Sequence, residues 1–289
     1  MDCHPILIRA LHSGFNGSKA MVLQVTSLMW LRTIMNYQYK YGTPTGDTIK
    51  RLYKEGGIRR FYSGMIPALI QGPVSRFGDT FSNTFILNLT KNSQLPIYFK
   101  TALASATACL VRVMMTPMDT VKTMSQVKGN KAMGILTNKI RKDGIVSLYH
   151  GAIGNGIVTL IGHFPWFLTH NYLNKVFPGS DKDPKLKRLT RNAVIGFWSS
   201  LVSDTSSNFM RVIKTYRQTN EIRISYINCA KAIICKDGVN GLLFRGLGTR
   251  LIANCAQGLM FNVIWKYLDT KQLKQTKYKQ SPAVNTNYI

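Results

Sequence analysis

Three stretches spaced about ninety residues apart carry one pattern, and this triplication constrains the fold more than any single residue. The middle copy is clearest: Pro117-Met118-Asp119-Thr120-Val121-Lys122 with Gln126 four residues on, then Asp143-Gly144 and Tyr149-His150-Gly151. Aligning Lys122 with Arg32 and Lys214 brings Ser27, Pro117 and Phe209 together, and likewise Met29, Asp119 and Arg211. The second halves then match as Glu55-Gly56 with Tyr62-Ser63-Gly64, and Asp237-Gly238 with Phe244-Arg245-Gly246. From base to acid the gap is 23, 21 and 23 residues. A repeat of this kind implies threefold pseudosymmetry within one body rather than separate beads.

Charge and hydropathy then limit the class. The 289 residues hold 38 Lys and Arg against 12 Asp and Glu, a formal net charge of +26. That balance suits an anionic membrane, an anionic ligand or nucleic acid. Nucleic acid fits poorly, because long uncharged stretches dominate. Gly144 to Asn174 holds no Asp, Glu, Lys or Arg, enough for a spanning helix of about 20 residues. Leu251–Trp265 and Ala20–Leu31 are shorter runs of the same kind. A mean hydropathy of −0.04 is low for a membrane protein, as suits helices that surround a water-filled cavity and show lipid one face only.

Cys3, Cys109, Cys229, Cys235 and Cys255 have neither metal nor disulfide spacing and read as small buried thiols. No phosphate-binding glycine loop, metal spacing or nucleophile constellation is present. The expectation is therefore no enzyme, no cofactor and no metal. Residues Met1 to Pro5 contain neither an apolar signal region nor an Arg/Ser-rich leader, and the polar tail Lys271–Ile289 reads as a mobile end.

Six spanning helices are expected, at about 6–37, 65–88, 97–126, 152–175, 190–218 and 247–270, in a single domain 1–289 with repeats at about 6–88, 97–175 and 190–270. Small residues on the odd-numbered helices (Gly14 and Gly17, Ala104 and Ala108, Gly196 and Ser200) would allow close helix approach in lipid. Amphipathic segments at Asp47–Lys54, Gly134–Lys142 and Tyr226–Lys236 should lie along the membrane surface. The three regions that link odd to even helices hold sixteen Lys and Arg, and the two on the opposite side hold six. Such an excess marks the side that is not translocated.

Over roughly residues 6–275 the chain resembles the mitochondrial carrier family, whose pattern P-x-[DE]-x-x-[KR] is followed after twenty-odd residues by [DE]-G-x-x-x-x-[WYF]-[KR]-G, three times over. The resemblance implies an all-α membrane protein with six transmembrane helices in three two-helix repeats around a central cavity, and short amphipathic helices on the matrix side. It also implies a substrate class of small anions or zwitterions moved by alternating access, a mitochondrial inner-membrane location, a monomer and bound cardiolipin, with no nucleic acid. In the family a proline bends each odd helix; Ser27 and Phe209 replace it here, which puts the third bend in question.

The resemblance assigns a matrix gate in which the base of each odd helix meets the acid of the next. Carried over, Arg32 pairs with Asp119, Lys122 meets Arg211 in a repulsive contact, and Lys214 meets the uncharged Met29. Gln126 and Gln218, with Asn36, stand at the brace positions beneath these pairs; an amide there bridges a pair without replacing a charge. Three readings of the surplus positive charge stay open: a gate that has lost its tightness, an anion completing the cluster, or side chains splaying into water. The opposite gate corresponds to Thr84 and Leu87, Asn171 and Asn174, and Lys266 and Asp269. Both gates depart from the family pattern, so a carrier-shaped protein that binds lipid or protein partners without ordinary transport is the alternative.

Cavity positions implied by the resemblance are Val22, Arg112 and Asp204 on the odd helices. Arg112 and Asp204 would either pair with each other or hold the two ends of a zwitterion. The even helices contribute Gln71-Gly72, Val158-Thr159 and Ala253-Asn254, then Arg76 and His163, Asp79 and His170, and Gln257. Arg76 is the expected anion anchor. Trp166, Phe164 and Phe167 should face lipid or neighbouring helices. The helix starts after Gly64, Gly151 and Gly246 offer backbone donors to cardiolipin phosphate.

Overall fold

The computed structural model describes residues 22, 24–90, 97–179, 184–258 and 260, and every regular element among them is helical. In chain order these are α1 (24–41), α2 (Thr45–Phe61), α3 (Met65–Leu89), α4 (Ile97–Met114), α5 (Thr116–Lys128), α6 (Ala132–Asp143), α7 (Ala152–Val176), α8 (Lys185–Thr219), α9 (Tyr226–Phe244) and α10 (247–258). Short 3₁₀ turns at Gly129–Lys131 and Ile145–Tyr149 flank α6. The tail 271–289, Lys266, Asp269, Cys3, Gly14 and Gly17 lie outside the described residues, as do the side chains of Arg76, Asp79, Leu87 and Ala104.

The third bend is absent, and proline chemistry explains the difference between repeats. At Pro117 the helix breaks: α4 ends at Met114, Met115 turns the chain (φ −83°, ψ 1°), and α5 starts with the proline in its first turn, where a missing N–H costs little. Phe209 keeps its N–H, and α8 runs through it without interruption for 35 residues. Ser27 likewise sits inside continuous α1.

The glycine of each Asp-Gly motif has a plain job. Gly144 and Gly238 take nearly identical left-handed conformations (φ 71°, ψ −177° and φ 71°, ψ −176°), which stop or break the helix at a cost only glycine avoids. In the first repeat that conformation falls one residue later, at Gly57 (φ 59°).

Each repeat leans on the next, and the order closes into a ring. Arg60 donates to the carbonyls of Gln126 and Val127 at 2.8 and 2.9 Å, at the end of α5. Lys139 donates to the Gln218 carbonyl at 3.1 Å, at the end of α8. Lys236 donates to the Tyr41 carbonyl at 3.3 Å, at the end of α1. A cation from each linking region thus caps the C-terminal carbonyls of the following repeat's long helix, the groups a helix cannot satisfy itself. Glu55 holds Arg60 in place at 2.8 Å.

The motif's final glycines follow the same order. A Cβ on Gly64 would lie 2.9 Å from the Lys122 carbonyl oxygen; on Gly151, 2.2 Å from Gln218 Nε2; on Gly246, 2.8 Å from the Tyr39 ring. Within each repeat an apolar residue of the linking helix is sealed against the long helix: Leu52 with Ile34 and Tyr37, Leu136 with Met124, and Ile233 with Val212 and Ile213.

Some small-residue contacts differ from the expected ones. Gly196 has open space where a side chain would go; the buried row on α8 is instead Ser199, Ser203 and Ser207, and Ser203 donates to the Gly162 carbonyl of α7 at 2.7 Å. The true contact face is rotated by one residue. Ala108 is buried as expected. Of the described cysteines, Cys229 is buried as expected, Cys109 is half-buried, and Cys235 and Cys255 are exposed.

One helical stretch among the described residues, Ile145–Val176, is long and apolar enough to cross a membrane by length and composition. Along α7, Ile153, Leu160, Phe164, Leu168 and Tyr172 form an exposed apolar row at helical spacing.

Gly246 has φ +65° and faces the Tyr39 ring, so G246A should destabilise the purified protein by about 1–3 kcal/mol, while G196A should leave the thermal midpoint unchanged. Equal midpoints for the two would remove the Gly246 contact. His150 is buried, and burial, then Lys139, Arg217 and Arg223, push its imidazole below its ordinary value. The unfolded chain therefore takes up the proton first. Stability contributed by this group is present above about pH 6.5 and falls as pH drops through the window below it. Replacing His150 with Gln should flatten that acid limb of a midpoint-against-pH curve, and an unchanged slope would refute the assignment.

Candidate functional site

Two carboxylates organise the centre of the ring. Asp119, buried on α5, accepts from Lys122 Nζ at 2.8 Å and from Lys214 Nζ of α8 at 2.6 Å. Gln218 Nε2 approaches its Oδ2 at 3.4 Å and donates to Thr120 Oγ1 at 3.1 Å. Lys122 also donates to Gln71 Oε1 of α3 at 2.9 Å. One aspartate and two lysines from neighbouring long helices form a tie between α5 and α8.

The expected Arg32–Asp119 pair does not form. Asp119 is taken by its own helix neighbour Lys122, three residues on and hence on the same face, and by Lys214. No carboxylate among the described residues lies within ion-pair distance of Arg32. Lys214 therefore meets Asp119 rather than Met29, and Lys122 meets Asp119 rather than Arg211. Met29 is fully buried and receives the Gln126 amide at its sulfur, 3.4 Å away. Asn36 donates to the other end of that amide. The brace thus links α1 to α5 without any ion pair.

Asp204 on α8 is the second organiser. Arg250 Nε donates to its Oδ1 at 2.7 Å, Asn254 Nδ2 donates to its Oδ2, and Arg211 lies 3.5 Å away. The ion pair expected between Arg112 and Asp204 is not among these: Asp204 is held by its own helix and by α10. Arg250 escaped the sequence reading because it has no counterpart: Ala68 and Asn155 occupy the matching positions after Gly64 and Gly151. A charge directly preceding the uncharged run Leu251–Trp265 was the available signal.

The remaining expected residues are less concentrated. Gln71 also donates to Ser75 at 3.1 Å. Thr159 is buried and donates to the Asn155 carbonyl of its own helix at 2.9 Å, so its hydroxyl proton is already committed. His163 meets Phe167 edge-on at 6.2 Å, and His170 stacks on Trp166 at 4.7 Å. Gln257 is half-buried on α10. At the opposite gate, Asn174 bonds to His170 and accepts from Arg191 of α8 at 2.8 Å. Gly64, Gly151 and Gly246 serve close packing between repeats, and one first-turn donor of α7, the Gly154 N–H, goes to the Tyr226 hydroxyl at 2.9 Å. No cluster of three or more His, Cys, Asp or Glu suited to a metal occurs among the described residues.

A family model described as mitochondrial carrier protein matches residues 7–94, 93–181 and 186–275 in succession. The chain belongs to that family. It is also 26% identical over 142 residues to a thylakoid ADP,ATP carrier protein, chloroplastic, of Arabidopsis thaliana, a match covering 46% of this chain and 33% of the relative. Membership makes the chain a three-repeat, multi-pass membrane carrier protein rather than a member of an enzyme family.

Within that frame the odd helices of this carrier are joined unequally: α5 to α8 by a shared carboxylate, α1 to α5 by amides alone. Replacing Asp119 with Asn would leave two lysines facing each other without a counter-charge. D119N should cost about 3–5 kcal/mol, as when one partner of a buried pair is deleted. D119N with K214M in the same chain should recover part of that loss. Thermal midpoints of the three proteins in detergent test this; a D119N midpoint equal to the parent's would show that the carboxylate does not hold the helices.

Proposed function

We propose that the protein moves a small anionic or zwitterionic metabolite across the mitochondrial inner membrane by alternating access, through a cavity lined by six spanning helices. The observation that carries this reading is the Lys122–Asp119–Lys214 tie, which joins two long helices at their basic ends, next to a second cluster of opposed charges at Asp204. Charges inside helical segments are costly in a membrane and serve a pathway or a partner. The exposed apolar row on α7 supports a lipid-facing exterior.

In this reading the basic linking helices α2, α6 and α9 face the matrix, and Arg32, Asp119, Lys122, Gln126, Arg211, Lys214 and Gln218 form the matrix-side closure. Gln71, Arg76, Asp79, Arg112, Thr159, His163, Asp204, Asn254 and Gln257 supply the cavity lining. Cardiolipin phosphates dock at the helix starts after Gly64, Gly151 and Gly246. The carrier works as a monomer.

Purified protein reconstituted into liposomes should show saturable uptake of at least one solute from a panel of nucleotides, keto acids, amino acids and phosphate. Flat uptake across the whole panel would overturn the transport reading and leave a carrier-shaped binding protein.

A further inference from the structure

Three guanidiniums converge where α1, α8 and α10 meet, and one carboxylate answers them. Asp204 accepts from Arg250 at 2.7 Å and lies 3.5 Å from Arg211. Arg211 also reaches Ser207 Oγ at 3.1 Å, but its Nε is buried with no partner. Arg250 Nη1 meets the Met35 thioether 4.0 Å away, a weak acceptor, beside the buried Tyr39 hydroxyl. Arg32 lies three residues before Met35 and so on the same face of α1 that meets Arg250, and it forms no ion pair with a described carboxylate.

Asp119 is already committed to Lys122 and Lys214. Arg32, Arg211 and Arg250 against Asp204 leave two positive charges uncompensated. A buried donor without a partner calls for an occupant, and repulsion between guanidiniums calls for a negative one. The side chains of Arg211 and Arg250 remain 21% and 19% exposed, so neither is sealed from solvent.

We infer that this cluster binds a doubly negative oxyanion of the phosphate type, free or carried on a larger molecule. Arg32, Arg211 and Arg250 are its donors; Asp204 and Asn254 position Arg250. Planar guanidiniums arriving from three helices present paired N–H groups from separate directions. A tetrahedral dianion can accept all of them, whereas a single carboxylate would leave one charge over. The site occurs at one repeat boundary only, since the positions matching Arg211 are Met29 and Asp119 and those matching Arg250 are Ala68 and Asn155. The inference deepens the transport reading by naming the ligand class of that cavity, and rests on it only for the idea that the ligand moves.

The test uses the full chain in nanodiscs of neutral phospholipid, with inorganic phosphate titrated against chloride at equal ionic strength. Phosphate should raise the thermal midpoint saturably and chloride should not. R32Q and R250Q should each weaken phosphate about tenfold or more, the factor expected for a lost charge-assisted hydrogen bond. R32Q should also raise the midpoint without phosphate by removing a repulsion, so the result remains readable if R250Q folds poorly. Equal responses to chloride, or full phosphate affinity in R32Q, would overturn the site.

A parallel set of nanodiscs containing phosphatidic acid distinguishes the sources. A midpoint rise there that is lost in R32Q assigns the site to a lipid headgroup, and a response to soluble phosphate alone assigns it to a solute. No response in either arm overturns the proposal. Uptake assays separate the two claims: phosphate binding without uptake of any solute sinks transport alone, and uptake without any phosphate response sinks this site alone.

Discussion

An α-helix cannot satisfy its last carbonyls, and a ring of long helices whose ends meet must have them satisfied by a neighbour. In this carrier the neighbour is always the preceding repeat. Arg60, Lys139 and Lys236 reach forward to the ends of α5, α8 and α1 in turn. A single repeat would leave both its capping cation and its long-helix end without a partner, so the three parts are stable only together. Of these three cations Arg60 and Lys139 are buried and serve as structure rather than as surface charge, whereas Lys236 caps its carbonyl from an exposed position. Burial at Lys139 disfavours its charged form, a cost the ring accepts in exchange for the capped helix end.

The same frame holds unequal chemistry at equivalent positions. Where the alignment places Met29, Asp119 and Arg211, the structure builds an amide–thioether contact, a two-lysine carboxylate and an incompletely paired guanidinium. The first joins α1 to α5 with neutral hydrogen bonds, worth about 1 kcal/mol each. The second joins α5 to α8 with charge-assisted bonds, stronger by roughly a factor of two. The third, with Arg250 and Arg32, places like charges at the boundary between the third repeat and the first.

Helix positions and the threefold layout were legible because glycine and apolar periodicity act locally. Gly144 and Gly238 stop helices by their own backbone freedom, and Leu52, Leu136 and Ile233 fall on the apolar faces that the pattern marks. Side-chain pairing was not legible in the same way. The repeat alignment points Lys122 at the next helix, yet Asp119, three residues earlier on its own face, is its partner. Small faces suffered a phase error: Gly196 and Ser200 have the right spacing, but the buried row is Ser199, Ser203 and Ser207. Arg250 carries no repeat signature, so alignment of the three copies could not single it out.

These asymmetries bear on how a carrier of this shape would open and close. Phe209 leaves α8 without a kink over its 35 residues, so the basic ends of the long helices are drawn together by side chains rather than by three matching bends. Of the long helices, α1 is held to α5 by amides and to the third repeat by Lys40, which donates to the Tyr216 carbonyl of α8 at 3.4 Å, and by Thr249, which donates to Gln38 at 2.6 Å, while the Arg32 and Arg250 guanidiniums carry like charges at that same boundary. An oxyanion bridging Arg32 to Arg211 and Arg250 would turn the opposition of like charges there into a further link. A ligand shifts a conformational equilibrium only by its differential affinity for the two states, and a site assembled from α1 on one side and α8 with α10 on the other supplies that difference directly. The same guanidiniums that weaken the empty ring would then make the ligand part of its closure.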